Sequence, residues 1–456
     1  MAIELTHLQE QALSAIRAFL VDDDLDLFIL RGSAGTGKTT LVAKLADTLN
    51  TMHMSYALLA PTGRAARIIG NKLAQLTGNA QAGRTVHSLI YALDKVEVNE
   101  EAESSNDPGL RMIFPLRSEE PPVQLLVIDE ASMLGDRRIQ GDFLQFGSGR
   151  LLRDIVTYVR SRRPGREKER AAKLLFVGDP AQLPPVGEDT SPALSEDYLR
   201  NQFQLHTTAF ELTTVMRQAH DSGVLERAVA LRDALAAQRF NFFSLLANGK
   251  DIHHANTQEA IDLIVQGLRN RESSAVVVYS NAAARDYNRS IRERLWGSAS
   301  VPMQVGDILL VNRNSPPFLS NGDLVKVVHV APEARRTSVS LRGENGTQHV
   351  VELFFRDVTV ACRDANGKVI QLERMVLENL LDAPQRELSP LEQRALLVDF
   401  RKRHPHIKPR SDEFRLTIKE DPFFNAMQVK YGYAMTCHKA QGGEWNTVVI
   451  DFSATS

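Results

Sequence analysis

The stretch Gly32-Ser33-Ala34-Gly35-Thr36-Gly37-Lys38-Thr39 constrains this chain more than any other. It fits G-x-x-x-x-G-K-[ST], a loop that wraps phosphate. The apolar run Leu27-Phe28-Ile29-Leu30 before it reads as a buried parallel strand, and Thr40 to Ala46 after it reads as a helix. Strand, glycine loop and helix are the context the motif requires. Glycines let the backbone turn its N–H groups toward phosphates, and a helix N-terminus adds partial positive charge. Gly32 to Thr40 are therefore the expected nucleotide cradle. In it Lys38 reaches the β- and γ-phosphates and Thr39 holds Mg²⁺.

A chain of 456 residues has room for two to four domains. Its net charge is −2, so contact with nucleic acid would have to rest on local basic tracts and not on a global field. Cys362 and Cys437 make neither a metal pattern nor a disulfide framework, which fits a reducing cytoplasm. Glu4 followed by an amphipathic stretch is not a signal peptide. No apolar run approaches the ~20 residues of a membrane span. The acidic tract 97–108 is the expected flexible loop.

Ahead of the phosphate loop, Ala12, Leu13, Ile16 and Phe19 recur at helical spacing. Thr6 can cap that helix with Gln9 three positions on, as in a capping box. The Gln9 amide, with one donor and one acceptor side, can equally read an adenine edge. Beyond the loop, Tyr56 to Ala60 is a second strand running into Pro61-Thr62-Gly63-Arg64. Turns at the carboxyl edge of a parallel sheet are where ligands bind, and this one suits a nucleic-acid phosphate. Thr85-Val86-His87-Ser88 is a similar, weaker turn. Leu125 to Ile128 is a buried strand ending in Asp129 and Glu130. Asp129 is placed to bind Mg²⁺, and Glu130 to orient and deprotonate an attacking water. Leu174 to Val177 ends in Gly178-Asp179, with Gln182 just beyond the tip where its amide could sense the γ-phosphate. The arginines between 150 and 170 are a solvated face or a nucleic-acid contact.

In the second half, Arg217 in an apolar context is placed as an arginine finger, with a structural salt bridge as the alternative. Ala275 to Tyr279 opens a second sheet, and the segment after it through Asn288 and Leu295 is a helix. From 301 to about 371 short strands joined by Asn-Gly turns indicate a small β-barrel. Residues 373–418 are expected to be helical and charged. Thr436-Cys437-His438-Lys439-Ala440-Gln441-Gly442-Gly443-Glu444 is a polar loop of phosphate-contacting residue types.

Taken in order, these stretches resemble the motif series of superfamily 1B helicases, of the RecD-like and Dda-like branch. Gln9 matches the Q motif, Gly32 to Thr39 motif I, Ala60 to Arg64 motif Ia and Thr85 to Ser88 motif Ib. Motif II is the Asp-Glu-Ala-Ser-Met beginning at Asp129. Gly178 to Pro185 match motif III, Arg217 and Gln218 motif IV, and Thr436 to Glu444 motif V. The resemblance implies an α/β fold with two RecA-like parallel-sheet domains and ATP·Mg²⁺ between them. The first would span 1–204, with a β-hairpin pin at 91–123 that splits duplex. The second would comprise 205–300 and 425–456, around an inserted barrel and helical segment at 301–424. It also implies Lys38, Asp129, Glu130, Gln182 and Arg217 as catalytic groups. Gln9 and Glu444 join the nucleotide cradle, and Pro61, Thr62, Arg64, Thr85, His87, Thr436, His438 and Lys439 contact single-stranded DNA. Movement would be 5′ to 3′, at duplex junctions.

The family's motif VI, with a second arginine for the γ-phosphate, has no match here. A truncated chain, or one needing a protein partner in a repair or defence complex, is the expectation, with slow hydrolysis. An RNA helicase of the same superfamily, or a catalytically reduced scaffold, are the alternatives. Repair, recombination, phage replication and defence against phage stay open.

Overall fold

The structure is a computed structural model. It describes residues 4–33, 35–77, 83–92, 97–99, 111–118, 123–139, 144–161, 172–213, 222–239, 246–315, 319–342, 347–364, 368–408 and 411–453. Ala34, Arg217, Gln218 and the arginines at 162–170 lie outside these residues, as does most of the acidic tract.

The phosphate-loop strand, Leu27–Gly32, sits inside a six-stranded sheet whose paired strands are parallel. Across the sheet the strands run Arg84–Thr85, Tyr56–Ala60, Leu125–Ile128, Lys173–Gly178, Leu27–Gly32, Thr207–Leu212. The four strands of the middle are continuous apolar runs because helices cover both faces. On one face lie helices His7–Val21, Lys38–Thr51 and Gly63–Thr77, around Ile16, Phe19, Leu41, Leu45 and Ile69. On the other lie Val86–Ile90, Leu151–Ser161 and Glu196–Phe203, around Leu89, Ile155 and Leu199. The parallel arrangement brings every strand's carboxyl end, and so every functional turn, to one edge.

A second parallel sheet orders Ala434–Thr436, Ser274–Val278 and Thr447–Ile450. Helices Thr257–Arg269 and Asn281–Trp296 pack on it. After these helices in sequence comes a mixed sheet in the order Leu324–Val330, Ile308–Val311, Met427–Tyr431, Val369–Leu377, Gln348–Arg363, Arg335–Arg342. Leu324–Val330 also pairs with Gln348–Arg363, which closes the sheet on itself. A small third unit pairs Glu97–Asn99 with Arg111–Phe114 antiparallel, and the latter with Leu144–Phe146.

Four details differ from the sequence reading. Thr207–Leu212 pairs with Leu27–Gly32, so the first sheet extends past 204. Met427–Tyr431 joins the closed sheet through Ile308–Val311, so that sheet takes a strand from beyond 424. Val369–Leu377 is a strand, and helix begins only at Pro390–Arg403, then Asp412–Glu420. Glu97–Asn99, expected in a flexible loop, is also a strand. In each case a ladder partner far away in sequence decides, and strand composition does not name its partner. Within the basic tract after 400, Arg403 pairs with Asp399 and Asp421 and serves the fold.

Candidate nucleotide and nucleic-acid site

The phosphate loop is held from both sides. Gly35 and Gly37 take positive φ of 83° and 82°, the left-handed region that favours glycine. Lys38 Nζ donates to the carbonyls of Gly32 (2.6 Å) and Ser33 (3.0 Å). Gln9 is buried, and both halves of its amide bond within the protein. It completes the capping box with Thr6, accepting from the Thr6 N–H at 2.9 Å, while Nε2 donates to the Thr36 carbonyl at 3.0 Å. The amide thus ties the first helix to the phosphate loop.

Carboxylates from neighbouring strand tips gather around Lys38. Burial lowers the pKa of Lys38, and Asp179, Asp129 and Glu130 oppose that shift. Asp129 follows Leu125–Ile128, and its Oδ1 accepts from the Glu130 N–H at 2.9 Å. Burial raises the Asp129 pKa. Glu130 sits at φ 52°, a conformation a non-glycine residue adopts at some cost. Burial first, and then the charge of Asp129, push Glu130 up to about 7. Gln182 bonds to Glu130 and accepts from Ser132 Oγ at 2.9 Å. A carboxylate with a pKa near neutrality beside an oriented amide has the chemistry of a general base. Arg217, the intended partner, lies outside the described residues.

The residues expected on DNA divide. Thr62 and Thr85 accept backbone N–H groups of Ala65 (3.2 Å) and Ser88 (3.1 Å), so both hydroxyls cap helices that start at the sheet edge. Pro61 leads into that first turn and is half-buried. His87 packs against Phe146 edge-on at 5.3 Å and near Tyr91 at 5.5 Å. Burial lowers its pKa to about 4, so the ring is neutral at ordinary pH and cannot offer a charged contact. Arg64 faces Asp323 and the carboxylate of Glu444. Glu444, expected at the nucleotide, is exposed, and its charge reaches Arg64.

The closed sheet reaches into this region. Arg67 pairs with Asp323, and Lys439 donates to Asn321 in the same turn. His438 Nε2 lies 3.3 Å from the Pro184 carbonyl, just past Gln182. Thr436 and Lys439 line a recess with Asn281, Arg285 and Lys430. Burial lowers Lys430 and Lys439 to about 8. The turn that starts at Asp179 and the loop that starts at Thr436 therefore meet, which joins the first sheet's site to the second sheet. The 321–323 turn, Arg67 and Arg285 were not singled out in the sequence, because no spacing marks a residue whose partner lies in another sheet.

This edge-of-sheet cluster has the arrangement of a phosphate-binding loop flanked by acidic strand tips. Its residues 18–188 match the AAA domain family, and 431–456 match the UvrD-like helicase C-terminal domain. Over 205 residues the chain is 30% identical to the ATP-dependent RecD2 DNA helicase of Deinococcus radiodurans, covering 45% of this chain and 21% of that protein. It is 19% identical over 496 residues to an uncharacterised protein of Acanthamoeba polyphaga mimivirus, covering 97% and 92%. A solved Pif1 helicase from Candida albicans aligns with a TM-score of 0.41 at 17% identity, covering 98% and 89%. The chain is thus similar to a DNA helicase over its phosphate-loop half and to a helicase C-terminal domain at its other end. No described helix is long and apolar enough to cross a membrane.

Proposed function

We propose that this chain is an ATP-driven translocase on single-stranded DNA that opens duplex junctions, moving 5′ to 3′. The observation that carries the reading is the convergence of Lys38, Asp129, Glu130 and Gln182 at one sheet edge, directly beside the His438–Pro184 contact to the second sheet. Hydrolysis and strand grip then share one turn.

In this reading the phosphate loop binds the triphosphate through its backbone N–H groups and Lys38. Thr39 and Asp129 would hold Mg²⁺, which is usually bound through one or two protein groups plus substrate phosphates and water, and which would neutralise developing charge. Glu130, held by Gln182, orients a water and takes its proton. Arg217 stabilises charge on the transferring phosphoryl group. Arg64, Thr436 and Lys439 contact the DNA backbone, so binding is tolerant of sequence and sensitive to salt.

The test is ATP turnover with and without single-stranded DNA, in wild type and Lys38→Ala, followed by strand displacement on duplexes with a 5′ or a 3′ tail. DNA-stimulated turnover lost in Lys38→Ala, and opening of the 5′-tailed duplex alone, support the reading. Turnover indifferent to DNA overturns it.

A further inference from the structure

Arg232 lies on helix Gly223–Ala236, of which no described residue is buried. Its guanidinium meets Asp179 at the tip of strand Lys173–Gly178, Nη2 donating to Oδ2 at 2.6 Å. The Asp179 side chain is 4% exposed, that of Arg232 33%. The second Asp179 oxygen, Oδ1, accepts from the Ala181 N–H at 3.0 Å. The Gln182 N–H closes the same turn on the Asp179 carbonyl at 3.1 Å. That turn presents Gln182 to Ser132 and Glu130.

We infer that Arg232 is a positioning residue for hydrolysis: by holding Asp179 it fixes the turn that sets Gln182 against Glu130. The inference rests on the hydrolytic roles proposed above for Glu130 and Gln182. A buried carboxylate stripped of its counter-charge is costly and either moves or takes up a proton. Movement releases the Ala181 N–H, and protonation weakens its acceptor; both loosen Gln182.

The experiment measures basal ATP hydrolysis, without DNA, from pH 5.5 to 9 in wild type, Arg232→Ala and Arg232→Lys. In Arg232→Ala, kcat is expected to fall about tenfold, the scale of losing an outer orienting partner. The KM for ATP should stay within about twofold. Arg232→Lys restores part of the rate, keeping the charge but not the planar fork. Hydrogen exchange at Ala181 and Gln182, read independently of turnover, should quicken in Arg232→Ala. Wild-type kcat and exchange in Arg232→Ala overturn the inference; if basal hydrolysis is undetectable, exchange alone decides. Basal hydrolysis that DNA fails to stimulate would sink the proposed function and leave this relay standing.

Discussion

Gln9 donates its side-chain amide to the Thr36 carbonyl at 3.0 Å while its oxygen accepts from the Thr6 N–H at 2.9 Å. One buried side chain therefore serves as a helix cap and as a brace for the phosphate loop. Gln9→Ala should lower stability by about 1–2 kcal/mol, the usual scale for a lost cap or buried hydrogen bond. It should also raise the KM for ATP. Gln9→Glu keeps the cap acceptor and loses the donor, so it should spare stability more than ATP affinity. Urea unfolding and ATP titrations on the two variants separate the roles.

Gly37 is the tightest point of that brace. A Cβ there would lie 2.2 Å from Gln9 Nε2, on a backbone at φ 82°. Gly37→Ala must displace Gln9 and strain the loop at once. Binding of a fluorescent ATP analogue should weaken by at least about tenfold, or about 1.4 kcal/mol. Unchanged binding would mean that the brace is slack.

With Glu130 at about 7, hydrolysis should depend on pH in the neutral range. The carboxylate is the active form, so the rate rises with pH and levels off above about 8. Glu130→Gln should abolish this limb and cut kcat by about 10²–10⁴, while ATP binding survives. A pH–rate profile of both proteins under saturating ATP is the check.

His87 gives a stability signature instead of a DNA one. Its folded pKa of about 4 lies below the ordinary value of 6.5, so the unfolded chain protonates first. Its contribution is intact above about pH 6.5 and is lost progressively as pH falls toward 4. His87→Phe should flatten the difference between denaturation midpoints at pH 7.5 and pH 5, with little change in DNA affinity. A large loss of DNA affinity in His87→Phe would instead favour a direct contact.

Lys430 and Lys439, both lowered to about 8 by burial, should make DNA binding weaken between pH 7 and 9 as they lose charge. Lys439→Arg, which stays protonated, should blunt that decline. Lys439→Ala should weaken binding at pH 7 and reduce the slope of log affinity against log salt by about 1. Fluorescence anisotropy with a labelled oligonucleotide at several salt concentrations reads both effects.

Much of the site was visible in the residue order because its parts are local. A glycine loop between strand and helix, paired acids at a strand end and Gln182 beyond a strand tip need only their neighbours to be recognised. Gln9 was readable as a helix cap, and the structure spends the other half of its amide on the Thr36 carbonyl. His87 and Glu444 show what the residue order leaves out. One is enclosed by Phe146 and Tyr91, the other is drawn to Arg64, and both neighbours come from elsewhere in the chain.

The sequence alone determined the strands Leu27–Leu30, Leu125–Ile128 and Leu174–Val177 and the glycine and acidic turns at their ends, since periodicity and backbone preference act over a few residues. Only the tertiary structure decided which strands share a sheet. It alone seated Asp323 and Asn321 on Arg67 and Lys439, and brought Arg232 to Asp179. Those choices rest on ladder hydrogen bonds and ion pairs between residues tens to hundreds of positions apart. Nothing in the local order of side chains records such a partner; only the packed chain does.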